Sequence, residues 1–540
     1  MTPELAFEPG SSTAYHTGEW RIAKPLYRDK WPPCGQSCPA SEDIQGWLAL
    51  ASEQQWETAW RKLTERNPFP ATMGRICYHP CEQACNRGHL DSVVNIHAVE
   101  RHLGDLAIAN RWRHAPLDEL PKRQRIAVVG AGPAGLSCAF QLVRRGYPVT
   151  VFDAQKEPGG TLRSGIPAYR LPKAVLADEI DAILALGIEL QAGTRVGREI
   201  SEEELRDRFD AIFLAIGTQR PRRYQGDASS HSVMSGLDFL HRLNRGERMV
   251  LPSRVAVIGG GNTAIDVARC ARRLGAQVTI LSPQDPPVNH LTRRGTEMPV
   301  SSQELMEAES EGVELLYRVG VRRLVRSGEH LSGIEIAHVD QVHDRHGRFN
   351  PVLFDGTEAF VPAGLAIFAI GQQVEWQGLE GLSQAPESER VWIGGDAGGS
   401  PRFAVAAVGS GYQAAMSILT ALQDPAAPFA AEEKPHISFK QMHLEYYPAR
   451  PRHEGRVIAQ PLDGFDETVQ GLAESDARQE AERCLSCGVC FQCDNCWHFC
   501  PDAAVIKKGA GYEIDYDYCK GCGICVQECP CGHIDMEKVE

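Results

Sequence analysis

Residues 125–154 read RIAVVGAGPAGLSCAFQLVRRGYPVTVFDA, and this stretch decides the fold. Four apolar residues, Ile126 to Val129, make a short strand, and Gly130-x-Gly132-x-x-Gly135 follows. A helical pattern, a second apolar strand and an acid, Asp153, complete the unit. Gly130 permits the tight turn, Gly132 lets the backbone approach a pyrophosphate, and Gly135 lets the helix pack closely. The N-terminus of the helix that follows faces the anion, with Pro133 and Ala134 among the cofactor-binding positions. Asp153 can accept hydrogen bonds from ribose hydroxyls. A plain structural turn would account for the glycines but not for the acid about 20 residues further on.

A second unit, RVAVIGGGNTAIDVARCARRLGAQVTIL at 254–281, carries Gly259, Gly261 and Ala264 in the glycine places, with Asn262 and Thr263 between them. Two such units suit one nucleotide that stays bound and one that exchanges. Residues 121–430 alternate apolar runs with helical patterns, the signature of βαβ units and parallel sheets. The chain has 540 residues, enough for several cores, with 43% apolar and 23% charged residues. That balance excludes fibres and disorder. A net charge of −14 argues against nucleic acid or an anionic membrane surface as partner. The start, MTPELAFEPGSS, lacks the basic and apolar regions of a secretion signal, so a cytoplasmic protein is expected. The uncharged stretch from Phe403 to Leu422 is interrupted by Gly409, Ser410, Gly411 and Gln413 and reads as a buried helix, not a membrane insertion.

The 18 cysteines are clustered: five between Cys34 and Cys85, eleven between Cys484 and Cys531, and only Cys138 and Cys270 in the long middle. Such clustering in a reduced compartment points to metal. Cys490, Cys493, Cys496 and Cys500, followed by Pro501, form a complete C-x2-C-x2-C-x3-C-P run, and Cys519, Cys522, Cys525 and Cys529, followed by Pro530, form another. In the bacterial ferredoxin pattern the fourth cysteine crosses over. One [4Fe–4S] cluster is therefore expected on Cys490, Cys493, Cys496 and Cys529, the other on Cys519, Cys522, Cys525 and Cys500. Zinc would explain a pair of knuckles but not two x3-Cys-Pro closures. Cys484, Cys487 and Cys531 are surplus, either thiols beside the clusters or, for Cys484 and Cys487, competitors in register.

From about Cys34 to Leu422 the chain resembles the small subunit of glutamate synthase and its relatives, including the flavin half of dihydropyrimidine dehydrogenase and the NADH-dependent ferredoxin:NADP oxidoreductases. The resemblance rests on Gly130 to Gly135, Gly159-Gly160 through Gly165-Ile166-Pro167 to Arg170-Leu171-Pro172, Ala215-Ile216-Gly217, Gly259 to Ala264, and Gly394-Gly395-Asp396. It implies FAD on the first unit, with Asp396 on the ribityl chain and Gly160, Leu162, Arg170, Gly217, Gly371 and Gly395 among the cofactor-binding positions. It implies NAD(P)H on the second. The second unit lacks the Cys-x-x-Cys of thioredoxin reductases, so electrons leave the flavin by another route. Arg293 and Arg294 resemble the family's 2′-phosphate arginine pair displaced by an insertion, and the strand end itself reads Ser282-Pro283-Gln284-Asp285; NADH and NADPH both stay open. In the N-terminal region the resemblance places Cys38, Cys77 and Cys81 on one [4Fe–4S] cluster with Glu100 as a non-cysteine ligand. Cys34 and Cys85 fall on a second cluster whose two further cysteines are missing upstream.

The expected architecture is α/β: a helical iron–sulfur domain (1–120), a Rossmann-like FAD domain (121–247 and 363–430), a Rossmann-like NAD(P)H domain (248–362), a linker (431–475) and a ferredoxin-like α+β module (476–540). In the first, Ile44, Trp47, Leu48, Trp56, Trp60 and Leu63 recur at helical spacing and read as core. The C-terminal extension resembles the iron–sulfur flavoproteins that accompany dissimilatory sulfite reductase and electron-transfer subunits of 2-oxoacid oxidoreductases. The function implied is electron transfer between NAD(P)H, FAD and clusters, to or from a protein partner in a larger iron–sulfur complex, with a homodimer also compatible. The alternatives are the electron-input subunit of glutamate synthase and a non-enzymatic electron carrier.

Overall fold

The computed structural model describes residues 16–118, 120–222, 224, 232–286, 295–385, 387–425, 434–457, 464–509 and 511–539. Arg293 and Arg294 lie outside them. The first glycine-rich unit sits in a five-stranded parallel sheet in the order Val391–Ile393, Ala211–Leu214, Ile126–Val129, Val149–Asp153, Glu189–Ala192. Every residue of Ile126–Val129 and Val149–Asp153 is buried, as befits parallel strands covered on both faces. The helices Pro133–Val143 and Ala404–Ala421 pack against each other, and the second is the apolar stretch expected to be a buried helix. Among the described residues no helix is long and apolar enough to cross a membrane.

The second unit is another five-stranded parallel sheet: Glu314–Leu316, Gln277–Leu281, Arg254–Ile258, Leu365–Phe368, Val233–Ser235. An antiparallel sheet built on the long strand His330–His343 is inserted between its fourth and last strands in sequence. The boundaries expected at 247/248 and 362/363 therefore shift, because Val233–Ser235 and Leu365–Phe368 both belong to the second sheet. An apolar run shows that a strand is buried but not which of two sheets recruits it.

At the N-terminus, Ile44, Trp47, Leu48 and Leu63 form the core of a group of short helices, with Trp60 3% exposed. Trp56 differs: it packs at the rim and donates its indole N–H to Glu474 (3.1 Å). The strand Ala23–Tyr27 pairs antiparallel with Ile534–Lys538, so the two ends of the chain meet in one sheet. The described part of the expected linker is not a free tether. Arg452 pairs with Glu82 (3.0 Å), Glu467 with Arg75 (2.7 Å), and Asn95 donates to the His453 carbonyl (2.8 Å). These contacts are polar and held by short turns, which is why no apolar periodicity announces them. The C-terminal module has two short helices, Asn495–His498 and Ile524–Gln527, and a hairpin, Val505–Lys508 with Gly511–Ile514, around a small core of Cys496, Cys525, Cys529, Cys531, Val505 and Ile534.

Candidate redox centre

A cleft of about 310 Å³ lies where the two parallel-sheet units face each other. Gly130, Gly132, Pro133, Ala134, Asp153, Gly160, Leu162, Arg170, Gly217, Gly395 and Asp396 line it from the first unit, and Asn262 and Thr263 from the second. The three glycines of the first fingerprint have different tasks. At Gly130 (φ 110°) a Cβ would meet the Ala215 carbonyl, and at Gly135 it would meet the Gly130 carbonyl; both are packing glycines. At Gly132 a Cβ would meet nothing within 4 Å, so the bare backbone faces open space at the start of the Pro133–Val143 helix. An anion fits that place. Gly261 is open in the same way at the start of the Asn262–Arg273 helix, while Gly259 packs on the Ala369 carbonyl and Ala264 is fully buried. Gly135, Gly259, Gly261, Ala264 and Gly371 do not line the cleft itself; Gly371 accepts the Arg222 N–H (3.0 Å) at the crossing between the units.

Asp153 accepts the Ala131 N–H (2.6 Å) with one oxygen and the Gln155 N–H (2.7 Å) with the other, leaving lone pairs for a ribose at the cleft wall. Asp396 sits in a turn at Gly395–Gly398, where the Gly395 N–H donates to Ser410 (2.8 Å) and burial pushes the Asp396 carboxyl up. Arg170 is already engaged: one terminal nitrogen spans both oxygens of Asp266 (2.9 and 3.0 Å) and the other meets Glu304. It clamps the first unit to the second rather than standing free for an anion. Asn262 Oδ1 is buried with no partner, a polar atom in want of a donor at the mouth of the second fingerprint. Sequence reasoning missed Ile76 and Tyr78, which reach the cleft from the cysteine-bearing N-terminal domain. Their neighbour Cys77 could have signalled them.

The cysteines assemble into sets. Cys490, Cys493, Cys496 and Cys529 surround one small cavity, with Cys531 on its wall. Cys519, Cys522, Cys525 and Cys500 surround another. Each cavity groups three cysteines of one run with the fourth of the other. Cys531 lies 3.8 Å from Cys529, sulfur to sulfur, and holds the Cys529 thiol low, at about 6. In the N-terminal domain Cys38, Cys77 and Cys81 are neighbours: burial raises all three thiols, and Cys81 is raised further by Cys38 and Cys77. Glu100 faces Cys77 and is pushed well up by burial and by Glu42 beside it; both carboxyls accept from Asn67 Nδ2, at 2.8 and 3.0 Å. Cys34 and Cys85 line a separate cavity, and Cys484 and Cys487 line it with them.

The donor set suits iron–sulfur cubanes better than single ions. Four sulfurs around one zinc would stand about 3.8 Å apart, from Zn–S bonds of about 2.3 Å in a tetrahedron. Among the described residues the one group of potential ligand atoms within 4.8 Å of one another is His79, Glu82 and His97, and it contains no cysteine. The wider cysteine sets leave room for a larger inorganic core. Cys138 and Cys270 are fully buried in apolar surroundings and belong to no set.

Comparison with known proteins agrees with this geometry. Residues 124–411 match the model of the pyridine nucleotide-disulphide oxidoreductase family, and residues 26–112 match dihydropyrimidine dehydrogenase domain II, 4Fe-4S cluster. The beta subunit of NADP(+)-dependent formate dehydrogenase from Moorella thermoacetica is 33% identical over 84% of this chain and 70% of its own. The beta subunit of NADPH-Fe(3+) oxidoreductase from Geobacter sulfurreducens is 32% identical over 88% and 78%. The small chain of NADPH glutamate synthase from Escherichia coli is 31% identical over 73% and 89%. The two family models together take in the N-terminal cysteine-bearing helices and both glycine-rich units of the chain. The chain belongs to the pyridine nucleotide-disulphide oxidoreductase family, among the FAD- and NAD(P)H-dependent iron–sulfur oxidoreductases related to the glutamate synthase small chain.

Proposed function

We propose that the chain is the NADPH-oxidising, electron-input subunit of a larger cytoplasmic enzyme, and that its C-terminal module is the port to a protein partner. One observation carries the reading: the cleft has the second nucleotide unit on one wall and Ile76 and Tyr78, which flank Cys77, on another. Electrons entering from the nicotinamide side thus have a cysteine site bordering the same cleft. Bound FAD supplies the change from two-electron to one-electron transfer, and the clusters carry the single electrons.

The chain's own residues do the positioning. Gly132 and the helix beginning at Pro133 hold the FAD pyrophosphate, Asp153 the ribose, and Asp396 the ribityl chain. Asn262 and Thr263 receive the nicotinamide nucleotide, with the Arg170, Asp266 and Glu304 clamp fixing the second unit against the first. NADPH is favoured over NADH because Ser282 and Gln284, both neutral, stand at the strand end where the first unit has Asp153, and Asp285 turns to Arg318 (3.5 Å). The one carboxylate in Ser282-Pro283-Gln284-Asp285 is thus paired, which lessens its repulsion of a 2′-phosphate. Arg293 and Arg294, which lie outside the described residues, keep the role that the family resemblance gives them, contact with the 2′-phosphate. In the module, Cys493 and Cys522 are exposed, so each ferredoxin site has an edge at the surface, where Phe491, Trp497, Phe499 and Ile524 are also exposed. The two relatives matched over 84% and 88% of the chain are beta subunits, which favours a partner subunit over the glutamate synthase assignment and over a free carrier.

The test is anaerobic rapid mixing of the holoenzyme with NADPH or NADH. Fast bleaching of the flavin band by NADPH, at least about tenfold faster than by NADH at equal subsaturating concentration, is expected, one decade corresponding to about 1.4 kcal/mol. Changing Cys519 and Cys522 to serine should leave that bleaching intact and stop reduction of the partner. Unimpaired partner reduction would move the port elsewhere.

A further inference from the structure

Cys484 and Cys487 precede the first ferredoxin run and are not needed by either crossed set. They lie instead on the cavity lined by Cys34 and Cys85, some 400 residues earlier in the chain. Cys34 comes from the helix Pro33–Ser37, Cys85 from the turn before Asn86–His89, and the other two from the segment after Glu474–Ala481. Cys34 has Cys484, Cys85 and Cys487 around it. Four soft sulfur donors so placed suit an iron–sulfur core.

The local backbone has the form of a cluster-binding loop. Within Cys484-x-x-Cys487-Gly488, Ser486 and Gly488 have positive φ (48° and 75°). The corresponding pairs in the two ferredoxin runs are Gln492 and Asp494 (59° and 67°) and Gly521 and Gly523 (72° and 78°). In each loop the N–H two residues on donates to the leading sulfur: Ser486 to Cys484, Gln492 to Cys490, Gly521 to Cys519. Serine and glutamine rarely adopt this conformation without a reason. Cys138 and Cys270, which sit in regular helices, show nothing of the kind. Cys85 receives N–H groups from Arg87 and Val94, and Asn86 Nδ2 lies 3.7 Å from the Cys487 sulfur. N–H donors of this sort stabilise and tune cluster sulfurs.

The segment bearing Cys484 and Cys487 is locked in place. Arg483, under 1% exposed overall, binds Glu480 (2.5 Å), Asp91 (3.1 Å) and the Val93 carbonyl (3.1 Å), and Arg87 donates to the Arg483 carbonyl (2.6 Å). Buried arginines of this kind are not spent on a loose tail. The neighbours on either side are the candidate cluster sites: Cys34 lies near Cys81 of the N-terminal set, and the Gly488 N–H donates to the Cys531 carbonyl (2.7 Å) at the wall of the first ferredoxin cavity.

We propose that Cys34, Cys85, Cys484 and Cys487 hold a fourth [4Fe–4S] cluster across the junction of the N-terminal domain and the C-terminal module. It rests on the reading that electrons pass from the flavin to the module. The cluster closes the gap in that path: from the cleft at Cys77, through the Cys38, Cys77 and Cys81 set, to the junction, then to the Cys490 set and the Cys519 set. Each NADPH would give up a hydride and leave as NADP+; its two electrons would pass on singly and its one proton would go to solvent, so the junction site carries one electron at a time and no proton. It also replaces the two cysteines that the family pattern would put upstream of Cys34.

The experiment compares the anaerobically purified full-length holoenzyme with a Cys484→Ser/Cys487→Ser variant. Iron and acid-labile sulfide should each be about sixteen per FAD in the parent and about twelve in the variant, by cluster stoichiometry. NADPH should still bleach the variant's flavin, and reduction of the remaining clusters of the module, followed by EPR during freeze-quench, should slow at least tenfold. Equal iron in both proteins would overturn the proposal. If the variant does not fold, the parent decides alone: about sixteen irons supports a fourth site and about twelve overturns it. Failure of NADPH to bleach the parent's flavin would strike the functional reading instead, whatever the iron count.

Discussion

The two glycine-rich units share a backbone plan and part company at one strand end. In the first, Asp153 accepts the N–H of Ala131, the residue between the two leading glycines. In the second, the residue in that place is Gly260, crowded by the Gln284 and Ser282 side chains, and the acid is gone. The backbone cradle for a pyrophosphate is therefore common property, whereas the pocket for the adenosine ribose is private to each unit. A carboxylate there suits a bare ribose and a neutral pair suits a phosphorylated one. The glycines announce a dinucleotide, and the residue 23 places after the first glycine, Asp153 or Ser282, says which.

The strongest way to break this comparison is at the open glycines. Gly132→Val has room in the protein itself, since a Cβ there meets nothing within 4 Å, so the variant should fold. It should nevertheless lose FAD almost completely, read from the flavin absorbance of the purified protein. Full flavin in a folded variant would remove the first unit from the FAD site. Gly261→Val should keep FAD and raise the KM for NADPH by about 10–100-fold, about 1.4–2.8 kcal/mol of binding. Loss of FAD from that variant would mean the two units had been assigned in the wrong order.

A smaller change sharpens the distinction at the strand end. Ser282→Asp puts the first unit's acid into the second and should raise the KM for NADPH about tenfold while leaving NADH within about twofold, because like charges meet in only one complex. Arg293→Ala with Arg294→Ala should act in the same direction by a similar factor, the lost contact being to the 2′-phosphate alone. Equal effects on both nucleotides would place the pair outside the phosphate site. The least effect belongs to Asp153→Asn, which keeps an acceptor for the Ala131 N–H. It should weaken FAD by about 1 kcal/mol, seen as partial flavin loss on dilution.

Legibility followed distance along the chain. The nucleotide fingerprints and both ferredoxin runs are local, each within about 30 residues, because a turn and its helix, or a loop of spaced cysteines, is shaped mostly by its own sequence. Trp47 and Leu63 read as core for the same reason: helical spacing fixes a face. Trp56 shares that spacing and yet lies at the rim, since its partner, Glu474, comes from 418 positions away. The stretch expected as a tether failed for a related reason. Its anchors are Arg452 on Glu82 and Glu467 on Arg75, pairs that have no periodicity to find.

Two dinucleotide units and a ferredoxin-like pair of cysteine runs are legible in the sequence, because glycine positions and cysteine spacing act through local backbone geometry. The folded chain settles which sheet takes Val233–Ser235 and Leu365–Phe368, that Arg170 is spent on Asp266 and Glu304, and that Cys484 and Cys487 share a cavity with Cys34 and Cys85. Those outcomes depend on which buried surfaces and charges meet after the chain has closed on itself, with Ala23–Tyr27 paired to Ile534–Lys538 at its two ends. No spacing within a segment encodes such a meeting.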